Sequence, residues 1–511
     1  MNTPTIQLEQ YRSENEALRE TVVSLGHEVA TLKEQLAWFQ RQLFGKRSEK
    51  EKDPAVPETF LPYFENLGIQ EEPSKTRTVA AHTRKVVVRD GKDAITLPSD
   101  LPVETQVIDI PEKEKICQET GLPLVKIGEE VTQKLAHRPG SFYIKQIIRP
   151  KYALPQESSG GIRTAELPDS LLTRCFADES FLAEILIRKF IDHLPLYRLS
   201  EIFARDGVKI SRQNLCKWVI RAGQALKPIY DEMIRCVLQS ENVFIDETPL
   251  DMQDPGNGKT KQVYMWVLVG GKGNDPPLRI YAFRTSRQHV HAEKLLENFK
   301  GAFHSDKYEA YMKIASNKDV TWCPCFVHIR RKFIEAESGD QEFRNWVLRK
   351  IRYLFMFERV AWNRSPEERL RIRQKYEEPI IDELVREVNS KLHDGKVLPK
   401  SKYREALFYF SGLIPFLKNY LRNPFSRLDN NVAERAVRCI AIGRKNWLFV
   451  GNEGGGEAAA IIFSIVQTCK AIGINPREYL EDVMRRLMGH SAKRISELLP
   501  NNWSSVKIPQ S

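Results

Sequence analysis

Residues 242–285 read NVFIDETPLDMQDPGNGKTKQVYMWVLVGGKGNDPPLRIYAFRT, and their reading decides the fold. NVFIDET is a short apolar strand ending in Asp246. DPGNGK (254–259) is a turn, QVYMWVLVGG (262–271) a second strand, GKGNDPP (271–277) another turn and LRIYAF (278–283) a third strand. An amphipathic helix is expected over 289–299, with Val290, Leu295, Leu296 and Phe299 on one face. GAFHSD (301–306) is a fourth strand ending in Asp306; a helix near 308–316 and a fifth strand, VTWCPCF (320–326), complete the set. Three strands joined by turns, followed by helix, strand, helix, strand, predict a mixed sheet with helices outside it.

Upstream, residues 8–43 carry a heptad seam. Leu8, Asn15, Val22, Val29, Leu36 and Leu43 form one set, and Tyr11, Leu18, Leu25, Leu32 and Phe39 the other. Valine at the first set and leucine at the second favour a parallel two-stranded coil, and a buried Asn15 pair would fix its register. The alternative is an amphipathic helix packed on its own chain. EKDPAVPETF and EEPSKTRT are rich in Pro, Glu and Lys and read as a linker. VETQVIDI, VTQKLAHRP and SFYIKQIIRPKYA form a small β-rich module, closed by SSGGI (158–162). An amphipathic helix runs from Phe181 to Ile191. Pro195 opens another through about Arg205, Asp206-Gly207 breaks it, and Ser211 caps a further helix with Leu215, Trp218 and Val219 on one face. This is either a helix-turn-helix that puts Arg212, Gln213 and Asn214 against base edges, or an ordinary helical hairpin.

Downstream, residues 336–424 are helical and charged. DNNVAERAVRCIAIGRKNW (429–447) is an amphipathic helix that Asp429 can cap, GNEGGGE a turn, and AAAIIFSIVQTCKAIGI a buried helix with a glycine stop. The 511 residues exceed one core, and 41% hydrophobic residues exclude a wholly disordered chain. The net charge of +11 fits a polyanionic partner. No apolar run reaches the roughly 18 residues of a membrane helix, so no membrane partner is expected. The N-terminus lacks a secretory pattern, and the eight scattered Cys fit reduced thiols.

In this strand order Asp246 and Asp306 end neighbouring strands. Two carboxylates so close need a counter-ion, and hard oxygen ligands suit Mg²⁺. Glu434 is the leading third carboxylate for a two-metal site. The three acids stand 60 and 128 residues apart, and the second gap can hold an inserted subdomain. Against this, each Asp alone could be a solvated turn or cap residue, and Glu434 could pair with Arg438. Glu247 and Asp251 lie just past the first strand and are expected to matter less. Cys323, Cys325 and His328 are too tightly spaced for a usual four-ligand metal site and read as core strand.

Asp246-Glu247-Thr248-Pro249, Ser305-Asp306-Lys307-Tyr308 and CFVHIRRKF (325–333) resemble successive motifs of the insertion sequence 66 family of DDE transposases. DNNVAERA (429–436) is the most specific match, continued by GRKNWLF (443–449). Pro476, Tyr479, Leu480 and LFGKRSEK (43–50) also fit. The resemblance covers nearly the whole chain. It implies a multidomain α/β protein: a coiled-coil dimerisation helix (1–50), a linker (51–100), a small β-rich module (101–162) and a helix-turn-helix region (163–240). A ribonuclease-H-like mixed-sheet core (241–335) follows, then a helical insertion (336–424), the last part of the core with the Glu helix (425–470) and a C-terminal tail (471–511).

It further implies that Asp246, Asp306 and Glu434 are the catalytic triad and hold two Mg²⁺, for which Mn²⁺ can substitute. The chain would cut the ends of a mobile element and join the 3′-OH to target DNA. Candidate phosphate contacts are Arg435, Arg438, Arg444 and Lys445, or these are solvated helix charge. Expected partners are element-end and target DNA, a second copy through residues 1–45, and possible companion transposition proteins. The expected setting is the bacterial cytoplasm, at the nucleoid. The family's module before the helix-turn-helix carries two Cys pairs like a zinc ribbon. Here Cys117 remains, but Thr120, Leu154 and Glu157 occupy the other places, so no structural zinc is expected. Two rivals stay open: a DNA-binding regulator with a silent nuclease-like domain, and a nuclease that cuts but does not join.

Overall fold

The computed structural model describes residues 101–504 apart from 117–121, 139, 154–161, 272, 274–275, 317–318 and 395–396, together with 85–87, 96–99 and six isolated positions between 19 and 29. Of the heptad seam, Val22, Leu25 and Val29 are described; they are helical and exposed. The rest of the seam, and the four positions that bear on a structural zinc, lie outside the described residues. The chain divides into two compact units, residues 83–327, 357–378 and 415–511 forming the larger.

In the larger unit, β1 (Lys85–Val87) and β2 (Thr96–Pro98) form an antiparallel pair within the segment read as a linker. The β-rich module holds β3 (Val103–Val107), β4 (Val125–Arg138), β5 (Ser141–Ala153) and β6 (Arg163–Thr164). β4 and β5 make a long antiparallel hairpin, with Gly140 in the left-handed region at its turn; β3 runs parallel to β5. The hairpin tip docks on the helices that follow. Phe142 meets Phe181 and Phe203 edge-on at 5.5 and 5.6 Å, and Phe181 meets Trp218 at 6.3 Å.

Four helices follow: α1 (Glu179–Phe190), α2 (Leu196–Arg205), α3 (Arg212–Ala225) and α4 (Lys227–Leu238). Local chemistry sets their bounds. Pro195 precedes α2, Gly207 turns the chain at φ +83°, and Ser211 Oγ accepts the Asn214 N–H at 3.2 Å to cap α3.

The main sheet holds β7 (Asn242–Asp254), β8 (Lys259–Gly270), β9 (Leu278–Arg284), β10 (Gly301–Ser305) and β11 (Val320–Pro324), in spatial order β11-β10-β7-β8-β9. β8 alone runs against the other four. Short helices α5 (His289–Leu295) and α6 (Glu309–Ile314) connect β9 to β10 and β10 to β11. β7 is longer than its sequence suggests: it does not end at Asp246 but runs on to Asp254. Pro249 is tolerated there because β10 pairs only with residues 242–244, leaving that side open until the two-residue strand at 449–450 pairs with Asp251–Met252.

The second unit includes residues 328–356 and 379–414. The helices entering it are α7 (Phe326–Glu335), α8 (Gln341–Ala361), α10 (Glu378–His393) and α11 (Lys402–Ser411); α9 (Pro366–Ile372) belongs to the larger unit. Val347, Ile351, Leu384, Val388, Leu407 and Phe410 are buried in it, and Lys391–Asp340 and Lys350–Glu383 are ion pairs on its surface.

The chain closes with α12 (Asn431–Trp447), β12 (Phe449–Val450), α13 (Glu453–Ala471) and α14 (Pro476–Arg486). Gly454, Gly455 and Gly456 of GNEGGGE do not form a loop but lie in the first turn of α13, which Asn452 caps through the Gly455 N–H at 2.8 Å. A Cβ on Gly456 would lie 2.5 Å from the Phe283 ring of β9, so glycine lets the helix sit on the sheet edge. There Ser464 Oγ accepts the Tyr281 N–H at 2.8 Å and Thr468 Oγ1 the Arg279 N–H at 2.9 Å, satisfying donors that an edge strand would leave exposed. The segment read as a tail is folded: Tyr479, Leu480, Val483 and Met484 of α14 are buried, and Arg477 and Arg485 reach Glu184 and Asp178 of the α1 region. Among the described residues no helix is long and apolar enough to cross a membrane.

Candidate active site

β7 and β10 pair in parallel, with Ala302 opposite Asn242 and His304 opposite Phe244. Continuing that register by two residues sets Asp306 level with Asp246. Both side chains are half-buried. Asp246 Oδ1 accepts the Glu247 N–H at 2.9 Å, and Asp306 Oδ1 accepts the Tyr308 N–H at 3.1 Å.

Glu434 comes from α12, whose start is tied to the same strands. Asn430 Nδ2 donates to the Ile245 carbonyl at 2.9 Å, one residue before Asp246, and the Asn430 N–H donates to Cys325 Sγ at 3.3 Å. A Glu434 carboxylate oxygen lies within 4.8 Å of that sulfur, at the end of β11. Further along, Tyr281 Oη donates to the Ala436 carbonyl at 2.7 Å, and Arg444 Nη1 donates to Pro249 O at 2.7 Å and Thr248 Oγ1 at 3.2 Å. The helix is thus pinned along β7 at both ends.

The segment entering α12 is pinned too. Arg373, fully buried, donates to the carbonyls of Tyr420, Asn423 and Ser426 at 2.9, 2.8 and 2.7 Å while its other edge grips Glu358 at 2.6 and 2.9 Å. His304 of β10 is held neutral by burial, its imidazole pushed down to about 3, and its Nε2 accepts the Arg427 N–H at 2.9 Å.

Electrostatics tie the acids together. The Asp246 carboxyl is pushed from 3.8 up to about 8, first by burial, then by the charges of Glu247 and Asp306, with Glu434 adding to them. Acids from two other parts of the chain, Asp306 and Glu434, therefore act on Asp246. An oxygen-rich, mutually repelling set of this kind suits a hard divalent cation such as Mg²⁺ or Mn²⁺.

Glu247 plays a larger part than its place past Asp246 suggests. Its carboxylate is buried and takes hydrogen bonds from Tyr311 Oη at 2.6 Å and Arg287 Nε at 2.7 Å. Burial raises it, with the nearby Asp306 charge also acting, while Tyr311 and Arg287 oppose the rise. The Arg287 guanidinium stacks 4.1 Å from the Tyr308 ring centre. None of these partners carries a local sequence signal, because each reaches Glu247 from a separate element.

The remaining expected contacts divide. Arg212 and Gln213 are exposed at the start of α3, but Asn214 is 8% exposed because it shares the buried helix face with Trp218 and Ala222. On α12, Arg435, Arg438 and Lys445 are exposed, whereas Arg444 is spent on β7. Cys323 and Cys325 are core residues: burial pushes the Cys323 thiol up to about 12, and Cys325 accepts the Asn430 N–H.

The family model described as the IS66 transposase family matches residues 174–458, the span of the main sheet and the acids. The IS66 C-terminal element matches residues 464–501, and a model described as the transposase C of IS166 homeodomain matches residues 31–105. The uncharacterized protein y4qI of Sinorhizobium fredii is 31% identical over 95% of this chain and 91% of its own length. The uncharacterized protein y4jD of the same organism is 29% identical over 97% of this chain and 99% of its own. These matches define a transposase. The chain belongs to the IS66 family of transposases.

Proposed function

We propose that this transposase cuts the ends of its insertion sequence and joins the freed 3′-OH to target DNA at one two-metal site built from Asp246, Asp306 and Glu434 on a ribonuclease-H-like core. One observation carries the reading: the β7–β10 register sets Asp306 level with Asp246, and Asn430, bonded to the Ile245 carbonyl, fixes the Glu434 helix to the same strand, although the two acids stand 60 and 188 residues further along the chain. Mg²⁺ or Mn²⁺ held by these carboxylates would supply Lewis-acid activation of water and of the phosphodiester. The three acids would hold the cations in place; Asn430 and Arg444 keep the Glu434 helix on β7; Glu247, gripped by Arg287 and Tyr311, keeps the strand in position. Arg435, Arg438 and Lys445 face phosphates, and Arg212 and Gln213 read base edges. Residues 1–45 pair two copies through the heptad seam.

The test is Mg²⁺-dependent cleavage and strand transfer on a duplex bearing the terminal sequence of the encoding element. Asp246→Asn, Asp306→Asn and Glu434→Gln should each bind DNA and lose both steps, since one site serves both. Near-normal activity of Glu434→Gln beside an inactive Asp246→Asn would move the third ligand elsewhere. Cutting without joining would make the chain a nuclease, and DNA binding with neither step would make it a regulator.

A further inference from the structure

The helix that carries Glu434 ends in a conformation its sequence should avoid. Leu448 sits at φ +65°, ψ −55°, close to the strained γ-turn region that few side-chain-bearing residues enter. The strain has a local origin. The Leu448 N–H closes the last helical turn on the Arg444 carbonyl at 2.9 Å, and the very next residue must already be extended, because β12 pairs with Asp251–Met252 of β7. One residue makes the whole reversal. Glycine would make it without cost, yet the position holds leucine.

Nothing in the fold repays that choice, because the Leu448 side chain is 63% exposed. Beside it Phe449 is 40% exposed, and nearly two turns back on the same helix Ile442 is 52% exposed. Arg435, Arg438, Ile442 and Lys445 recur at helical spacing on one exposed face of α12, and the exposed Leu448 and Phe449 follow at its end, so cations and apolar groups lie along one stretch of surface. Water does not favour such a face; a polyanion with apolar flat surfaces between its charges does. Unstacked DNA has that chemistry: phosphates for the arginines and lysine, base faces for the leucine and phenylalanine.

We propose that Leu448 and Phe449 form a wedge that holds an unpaired base of the DNA end while Arg435, Arg438 and Lys445 hold the adjoining phosphates. The proposal rests on the transposase reading above and adds the part of the DNA that this surface takes. Fourteen residues of helix at 1.5 Å each separate Glu434 from Leu448, about 21 Å. For a DNA strand laid along α12, at about 3.4 Å per nucleotide, the opened base lies about six nucleotides from the phosphate that is cut.

The experiment uses the full chain and a duplex ending in the terminal sequence of the encoding element. 2-Aminopurine is stepped through the end-proximal positions, with EDTA present to prevent cleavage. Wild type should brighten the probe at one or two adjacent positions about six nucleotides from the cut. Leu448→Gly/Phe449→Ala should bind within about 3-fold of wild type, because the cations remain, and should lower the opened population about 5-fold to 100-fold, the loss of one base stack. With Mg²⁺ present, the variant's slowed cleavage should recover on DNA mismatched at the same positions. Leu448→Gly alone serves as the folding control, and its unfolding midpoint should equal or exceed that of wild type, since glycine removes the strain.

An unchanged 2-aminopurine response in the double variant overturns the wedge, as does a cleavage defect that mismatched DNA fails to rescue. If the variant instead loses self-association in sedimentation and keeps the probe response, the patch joins copies of the chain and the proposal is wrong. Wild type that binds and cleaves the end with no probe response overturns the wedge and leaves the transposase reading intact. Absence of both binding and cleavage overturns the two together.

Discussion

Asp246→Asn should stabilise the metal-free protein while abolishing its chemistry. The wild-type carboxyl keeps its proton in the fold up to about pH 8, whereas an unfolded aspartate releases it near 3.8. As pH rises between those values the unfolded state gains relative to the folded one, so the wild type loses stability across that window. The gap of about 4 pH units, at 1.36 kcal/mol each, corresponds to about 6 kcal/mol. Local relaxation and water entry return part of this in real sites, leaving about 2–3 kcal/mol at pH 8. Asparagine has no proton to lose, and its Oδ1 can still accept the Glu247 N–H. Urea unfolding followed by tryptophan emission is the assay; Trp266 and Trp322 are both buried in this sheet. The variant should match wild type near pH 4 and exceed it progressively towards pH 8. Mg²⁺ at about 100-fold over its dissociation constant should then restore about 2.7 kcal/mol to wild type and less to the variant, which lacks one charged ligand. A stability difference that does not change between pH 4 and pH 8, or a variant less stable than wild type at pH 8, refutes the electrostatic account of the site.

Arg373→Met should cost about 3–5 kcal/mol in the same unfolding assay, because it strands the buried Glu358 carboxylate and three carbonyls. Adding Glu358→Gln should return a measurable part of that loss. Gly456→Ala should cost about 1–3 kcal/mol, since its Cβ meets the Phe283 ring and the helix must lift from the sheet edge. Arg444→Met and Lys445→Ala, neighbours in sequence, should separate. The first slows cleavage and leaves the salt dependence of DNA binding intact, because Arg444 holds β7. The second lowers the salt slope by about one, as loss of a phosphate contact does.

Much of the architecture was legible because its signals are local. Pro195, Gly207 and Ser211 set the bounds of α2 and α3 through one fixed φ, one left-handed turn and one side-chain cap. The strands of the main sheet were legible as apolar runs between glycine-rich turns. The misreadings have a common origin. NVFIDET reads as a short strand ending in Asp246, yet β7 runs on through Pro249, because proline breaks a strand only where its neighbour needs the missing N–H, and here β10 has already stopped. Three glycines in GNEGGGE read as a turn, but Asn452 supplies the cap and the Phe283 ring supplies the reason for having no side chain.

The chain on its own determined the order of its elements, the periodicity of their faces and three acids of the right type, because propensity, capping and apolar period act over a few residues. Only the tertiary structure decided which charges meet. The β7–β10 register brings Asp306 level with Asp246, and Asn430, bonded to Ile245, ties the start of the Glu434 helix to the same strand although the two residues stand 185 apart in the chain. It also decided that Arg444 and Asn214 face inward while their neighbours Lys445 and Gln213 face water. A side chain's surroundings are set by pairing between distant segments, and no window of adjacent residues contains both partners of such a pair.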